Sequence, residues 1–149
     1  MGRHAASDVV FDFDGALVVA RRLWALADSL ETVMAGRETL AAEALTTWRG
    51  GHATSFATRM GTERTDIDTA AGWLRVGAQE WAAAWKDAMD EQNRVLHARE
   101  CQRREDDAAW YESGIVGGIF GGPDMPDEPA AVAVPTAPGF APTGSFVRY

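Results

Sequence analysis

Two aspartates stand one residue apart in the stretch VVFDFDGAL, residues 9–17, where an apolar run ends before a glycine. Asp12 could act as a nucleophilic carboxylate and Asp14 as a neighbouring acid, since paired carboxylates can attack and protonate a bound phosphate ester. That chemistry needs an α/β sheet to hold Asp12. It also needs Ser or Thr, Lys and further carboxylates at later strand ends to bind phosphate and magnesium.

The stretch resembles the start of the haloacid dehalogenase family, but the remaining chain lacks that family's other parts. Ala16 stands where the family carries a threonine, and the lone lysine, Lys86, lies in the helical stretch WAAAWKDAM. No later strands follow to complete a sheet. We therefore expect residues 1–13 to be an extended N-terminal segment and Asp14 to cap a helix. A phosphohydrolase that uses Asp12 and Asp14 is the alternative.

Composition excludes several classes of protein. A chain of 149 residues accommodates one domain and an appended segment. The net charge of −8 and pI of 4.8 disfavour a nucleic-acid partner, because phosphate binding needs clustered Lys and Arg. One cysteine, Cys101, cannot form an intrachain disulfide. No apolar run reaches the roughly 18 residues of a membrane span, and no secretory signal follows the start. We expect no membrane span and no cofactor.

The prolines divide the chain into two parts. All six lie between Pro123 and Pro142, and residues 1–122 contain none. Because proline costs about 3 kcal/mol inside a helix, the first part permits long helices. Residues 114–149 are rich in Gly and Pro with little large apolar surface, which predicts a flexible tail that is mostly disordered or extended.

Two amphipathic repeats fill the proline-free part. We expect helix 1 over about residues 15–47, a turn at 48–52 where two glycines can reverse the chain, and helix 2 over about 53–113. The fold class is therefore all-α, with two long antiparallel helices that form a helical hairpin. The predicted apolar seam of helix 1 is Ala16, Val19, Leu23, Leu26, Leu30, Val33, Arg37, Leu40 and Ala44. That of helix 2 is Phe56, Met60, Ile67, Ala71, Leu74, Ala78, Trp81, Trp85, Ala88, Gln92 and Leu96.

Trp48, Arg49 and Gly50 occupy the expected turn, and Phe56 follows six residues after the glycine. Trp48 could cover the open end of the hairpin, and Phe56 could face back toward helix 1. A Trp-x-Gly turn between two long helices resembles the WXG family of small type VII (ESX) secretion proteins, over about residues 9–105. The resemblance implies a helical component of actinobacterial type VII secretion whose Trp-x-Gly motif is architectural and not catalytic.

The resemblance also implies a location and a partner. Such a protein would be cytoplasmic when made and exported without a cleaved signal peptide, alone or with a partner. The family's Tyr-x-x-x-Asp/Glu export signal is absent in that form, since Ile115 stands four residues after Tyr111. A partner could supply that signal.

A lone two-helix hairpin cannot surround a core, and this chain has more large apolar residues than one helix contact needs. We expect a four-helix bundle, formed as a homodimer or as a heterodimer with another helical hairpin or the helical N-terminal region of a secreted protein. A helical structural or regulatory protein unrelated to secretion is a further alternative. The predicted partner interface is Leu23, Trp24, Leu26, Leu30, Trp73, Leu74, Trp81 and Trp85.

His97 and Cys101 lie four residues apart on helix 2 and could share a metal ion. Two ligands do not make a tight zinc site, so we expect ordinary helix-surface residues and no metal.

Overall fold

The computed structural model describes residues 7–112 and 124–143, and two helices account for most of them. Helix α1 spans Phe13–Thr47 and helix α2 spans Gly51–Glu112, and the two pack against each other. No residue within the described ranges lies in a strand. The prediction of an all-α fold with two packed helices is confirmed.

The helix bounds differ slightly from the expected ones. Helix α1 begins two residues early, at Phe13, and the turn is confined to residues 48–50. Helix α2 begins at Gly51 and continues to Glu112, far beyond the level at which α1 starts. Residues 114–123 and 144–149 of the expected tail lie outside the described residues.

Asp12, and not Asp14, caps helix α1. Its carboxylate Oδ1 accepts the backbone N–H of Gly15 at 2.8 Å, and its carbonyl accepts the N–H of Ala16 at 3.0 Å. Asp14 lies inside the first turn instead. The helix starts at Phe13, so the short side chain that can reach back to the unpaired amides belongs to the residue before it. A Cβ at Gly15 would stand 2.0 Å from Oδ2 of Asp12, so glycine gives the cap its room.

The turn between the helices uses the residues expected there. The N–H of Trp48 donates to the carbonyl of Ala44 at 3.1 Å, and the Arg49 guanidinium also donates to carbonyls at the end of α1. Gly50 has a φ of 97°, a left-handed conformation that glycine adopts without steric cost. The rings of Trp48 and Phe56 lie 5.4 Å apart, although Trp48 remains exposed.

Columns of buried residues, most of them alanine, form the contact between α1 and α2. On α1 the buried positions recur every seven residues, and α2 shows the same spacing. Seven residues are close to two helical turns, so each series lies along one line of its helix, and small side chains let the two backbones approach. The α1 column is Ala20, Ala27, Met34 and Ala41, and the α2 column is Ala71, Ala78 and Trp85, with Gln92 one step further along, under the N-terminal segment.

The predicted seam of α1 lies beside this column and not on it. Leu26, Val33 and Leu40 are 49%, 62% and 67% exposed, whereas Leu23 and Leu30 are half-buried at the flank of the helix contact. Two neighbouring seven-residue columns run along α1. The predicted seam includes the column with the larger side chains, Leu26, Val33 and Leu40. The helices instead meet on the alanines, where their separation can be smallest.

Polar contacts tie the N-terminal segment, residues 7–12, to α2. The buried Gln92 accepts the N–H of Val9 at 2.7 Å through Oε1 and donates through Nε2 to Asp8 at 2.9 Å. Arg99 donates to the same Asp8 carboxylate at 2.7 Å. Every polar group of Gln92 that is removed from water is thereby satisfied. The segment covers part of α2 that α1 does not reach.

Residues 124–143, here called the strap, pack against the hairpin without forming a helix or strand. Phe140 is 1% exposed, and Val132 and Pro135 are also buried. This part of the expected flexible tail is therefore docked. Val132 and Phe140 join the same core cluster, and their burial offsets part of the cost of ordering the backbone. The shared cluster contains Ala16, Leu17, Ala20, Ala78, Ala82, Trp85, Met89, Val132 and Phe140.

We expect Asp12→Ala to lower the free energy of unfolding by about 1 kcal/mol, because the amides of the first turn lose their cap. Urea unfolding followed by circular dichroism measures this loss. Asp12→Asn is the matched control: it keeps an acceptor oxygen and should change stability by only a few tenths of a kcal/mol, roughly, on the same scale. Equal losses in both variants would show that the cap hydrogen bond does not stabilise α1.

We expect Phe140→Ala to release the strap while both helices remain folded, because removing a buried phenyl ring costs about 3 kcal/mol or more. Amide hydrogen exchange should then lose protection in residues 124–143 and keep it in the middle of α1. Val134→Ala, at an exposed strap position, is the control and should leave protection unchanged. Unaltered protection of the strap in Phe140→Ala would contradict its role as the anchor.

Candidate interaction surface

The hairpin has two sides with different chemistry, which the contacts between the helices identify. On one side, Leu23 of α1 lies 3.6 Å from the position that a Cβ of Gly77 would take. On the other side, Glu31 of α1 binds Arg75 of α2. Residues three, four or seven apart share a helix face, so each contact assigns its neighbours along the helix to one side. We call these the apolar face and the strap side.

Ion pairs line the strap side between the two helices. The guanidinium of Arg75 donates to Glu31 at 2.7 Å and to Asp28 at 2.8 Å, and it lies 5.3 Å above the ring of Trp24. The hydrogen bond from Arg75 holds the pKa of Glu31 below its usual value. These pairs occupy charged groups along this side and fix the register of α1 on α2.

The strap covers the same side where α1 begins. The ring of Phe140 meets that of Trp24 edge to face, with centroids 5.8 Å apart, and Arg21 Nη1 donates to the Phe140 carbonyl at 3.4 Å. Further along, the N–H of Val132 donates to Asp90 Oδ1 at 2.7 Å. His97 Nε2 lies 3.1 Å from the carbonyl oxygen of Pro126. This side of the hairpin is therefore closed by the chain itself.

The predicted partner interface divides between the two sides. Trp24 contacts the strap and Trp85 is buried in the core, so neither stands free for a second molecule. Leu23, Leu30 and Leu74 are half-buried along the contact of α1 with α2. Leu26, Trp73 and Trp81 remain exposed.

The apolar face is formed by exposed residues of both helices. On α1 it contains Leu26, Val33 and Leu40, which follow one another at seven-residue spacing. On α2, Trp81 is 43% exposed and lies seven residues after Leu74. From Leu26 to Leu40, about four helical turns, these residues form a row about 20 Å long on α1, beside which lies the ion pair of Arg37 with Glu63. The half-buried residues between the two rows are Leu23, Leu30, Ile67 and Leu74.

Trp73 stands at the outer edge of the apolar face. It is 74% exposed and lies four residues before Gly77, which faces Leu23. A tryptophan with this exposure carries a large apolar area that water solvates poorly, and tryptophan is common among residues that dominate binding interfaces.

Val33 and Leu40 belong to the seam predicted to face α2, yet both are exposed. The signal that could have found them is the seven-residue repeat of alanines beside them, at Ala20, Ala27 and Ala41. The two parallel seven-residue repeats on α1 are one column that packs on α2 and a second column that stays exposed.

The acidic pair at the start of α1 has a structural role in this arrangement. The carboxylate of Asp12 accepts the Gly15 amide, while Asp14 is exposed in the first helical turn. His97 lies 3.8 Å from the Cys101 sulfur through Nε2, which also faces the Pro126 carbonyl. Within residues 7–112 and 124–143, no group of three His, Cys, Asp or Glu residues could hold a metal ion.

Across the described part of the chain, neither helix combines the length and apolar character that a bilayer crossing requires. Comparison with models of known protein families, with curated proteins and with solved structures finds no match in any of the three.

We expect the strap to dock through ionised Asp90, which lies between Lys86 Nζ at 2.5 Å and the Val132 amide. The hydrogen bond from Lys86, followed by that from Val132, lowers the pKa of Asp90 from its ordinary 3.8. A lowered folded-state pKa means that this stabilisation is present above about pH 4 and is lost as the pH falls through the folded value.

Hydrogen-exchange protection of the strap, measured between pH 7 and pH 3, tests this expectation. Asp90→Asn should weaken docking at pH 7 and show a smaller further loss below pH 4 than the unmodified chain. Asp87→Asn is the control, since Asp87 is exposed and lies 3.7 Å from the Lys86 ammonium. Identical pH profiles for Asp90→Asn and the unmodified chain would rule out Asp90 as the titrating group.

Proposed function

We propose that this protein is a non-enzymatic interaction module whose apolar face packs against the helices of another chain to complete a four-helix bundle. The single observation that carries the proposal is the exposure of Leu26, Val33 and Leu40 at seven-residue spacing beside Trp81. Such a repeat is the pattern that a helix presents to another helix, and α2 does not cover it.

The size of the face favours a partner with two helices over a single helix. Full burial of one Leu or Val stabilises a complex by about 1.5–3 kcal/mol, and these side chains are already partly covered. Association costs an estimated 4–15 kcal/mol before any net affinity remains. Contact with the α1 row alone would gain little beyond that cost, so a tight complex must also cover Trp81 and Trp73 on α2.

The turn supports the proposal that the module is a WXG-like component of type VII secretion. Gly50 reverses the chain with a positive φ, and Trp48 contacts Phe56 at the closed end of the hairpin. On this proposal the protein is a substrate, a chaperone or a co-secreted partner, and it is cytoplasmic when made. A secreted pool distinguishes this role from that of a helical structural or regulatory protein unrelated to secretion.

The phosphohydrolase alternative has less support. Its nucleophile would be Asp12, but that carboxylate accepts the Gly15 amide as a helix cap. Asp14, the proposed acid, lies in the first turn of α1 rather than at the end of a strand. A phosphate-binding site of this class needs groups from several strand ends, and the described residues include none.

Paired variants on α1 test the role of the apolar face. We expect the unmodified chain to self-associate at high protein concentration in 1 M NaCl, where charge repulsion is screened over about 3 Å. Val33→Glu/Leu40→Glu should weaken this association by about a hundredfold or more, because two carboxylates would be buried. Sedimentation equilibrium measures the association constants.

Thr32→Glu/Thr39→Glu is the matched control. It adds the same charge one residue earlier, and both hydroxyls are exposed and donate only to carbonyls of their own helix. This variant should associate like the unmodified chain. If the unmodified chain stays monomeric at high concentration in 1 M NaCl, or if both variants behave alike, the apolar face is not a helix-binding surface.

A further inference from the structure

The arginine and lysine side chains of the hairpin are mostly used within the chain itself. Eight of the described cationic side chains form intramolecular ion pairs, namely Arg37, Arg64, Arg75, Lys86, Arg94, Arg99, Arg103 and Arg104. Arg21 donates to the strap, and Arg49 donates to carbonyls at the end of α1. Few cations are therefore left to meet a second molecule.

Acidic residues border the apolar face on α2. Asp66 and Glu80 stand seven residues before and after Trp73, so the three share one line at the outer edge of this face. Both carboxylates are exposed, and neither has an ion-pair partner among the described residues. Asp87 continues the line in one direction and lies 3.7 Å from Lys86, whose ammonium binds Asp90 more closely. The exposed Arg59 continues it in the other direction, so the line carries three acids and one cation.

The corresponding edge of α1 has little charge of either sign. Ser29 lies three residues after Leu26 and four before Val33, and Gly36 and Glu43 follow it at seven-residue steps. Arg22 precedes them on the same line and is exposed. The α1 edge therefore offers a single cation to three acids at the α2 edge.

We infer that the apolar face takes a helical partner whose edges carry Lys or Arg, in preference to a second copy of this chain. This inference rests on the proposed function and specifies the partner. In a pair of identical chains, the acidic line of α2 would face either the same acidic line of the second copy or the nearly neutral α1 edge of the second copy. Like charges at an interface rim oppose association, whereas a basic rim would pair with Asp66 and Glu80 and speed encounter.

The net charge of −8 acts in the same direction. Two copies would bring together two strongly acidic chains, while a basic partner would reduce the charge of the complex. The repulsion is long-ranged at low salt, where the screening length is about 10 Å at 0.1 M, and it is nearly absent at 1 M. The preference for a basic partner should therefore weaken as the salt concentration rises, whereas the contribution from burying the apolar face should not.

A variant of the chain itself can serve as the basic partner. Ser29→Lys/Glu43→Lys/Asp66→Lys/Glu80→Lys places cations along the edges of both helices and leaves the apolar face intact. We call it the basic-edge variant. Because both edges are changed, the acidic line of the unmodified chain meets lysines whichever helix lies opposite. The control, Thr32→Lys/Glu105→Lys/Asp127→Lys/Glu128→Lys, raises the formal charge equally at exposed positions away from the apolar face.

Sedimentation equilibrium of labelled unmodified chain, mixed with either variant or with itself, measures the three affinities in 0.1 M and 1 M NaCl. At 0.1 M we expect the basic-edge variant to bind the unmodified chain about tenfold or more tightly than the unmodified chain binds itself. The control should reproduce only the part of this gain that arises from net charge. At 1 M NaCl the three affinities should converge.

The possible failures have different meanings. If the unmodified chain self-associates at 1 M NaCl but binds the basic-edge variant no more tightly than itself or the control at 0.1 M, the inference of a basic partner is overturned and the proposed function stands. If no pair associates at either salt concentration while circular dichroism shows intact helices, the proposed function itself fails.

Discussion

The contact between columns of alanine is the constraint on which the rest of this structure depends. Ala20 and Ala27 of α1 and Ala71 and Ala78 of α2 are buried at seven-residue intervals, so the helices can approach closely. Each alanine removes little apolar area from water, and the contact is narrow. Apart from Trp85 and Leu17, which are buried, most of the larger Leu, Val and Trp side chains lie at the flanks of the hairpin. What covers those flanks then determines both stability and function.

One flank is covered by the chain itself. Phe140 of the strap fills the space beside Trp24, and Asp90 holds the strap backbone at Val132. The same side carries the ion pairs of Arg75 with α1. Apolar anchors, one half-buried carboxylate and a line of charge pairs therefore cover this side, and among the described residues the apolar face stays exposed.

The apolar face and the strap side differ in charge as well as in packing. Cations such as Arg64 and Arg75 are engaged in pairs between α1 and α2, and Asp66 and Glu80 at the outer edge of α2 have no ion-pair partner among the described residues. A surface with an apolar centre and an acidic edge discriminates between partners by their rim charge. On the proposed function, this distribution of charge favours a partner chain with a basic rim.

Local sequence is enough to specify the two long helices and their turn. Absence of proline over residues 1–122 and the seven-residue repeats are local properties, and the positive φ at the turn requires a residue such as Gly50. Tertiary structure decided which column of α1 is buried, because Leu26 and Ala27 belong to repeats of equal period and only the approach of α2 distinguishes them. It likewise decided the docking of Phe140, since a contact so distant in sequence leaves no periodic signal in the strap. Local sequence patterns predict where the helices lie, whereas which face of a helix is buried depends on what packs against it.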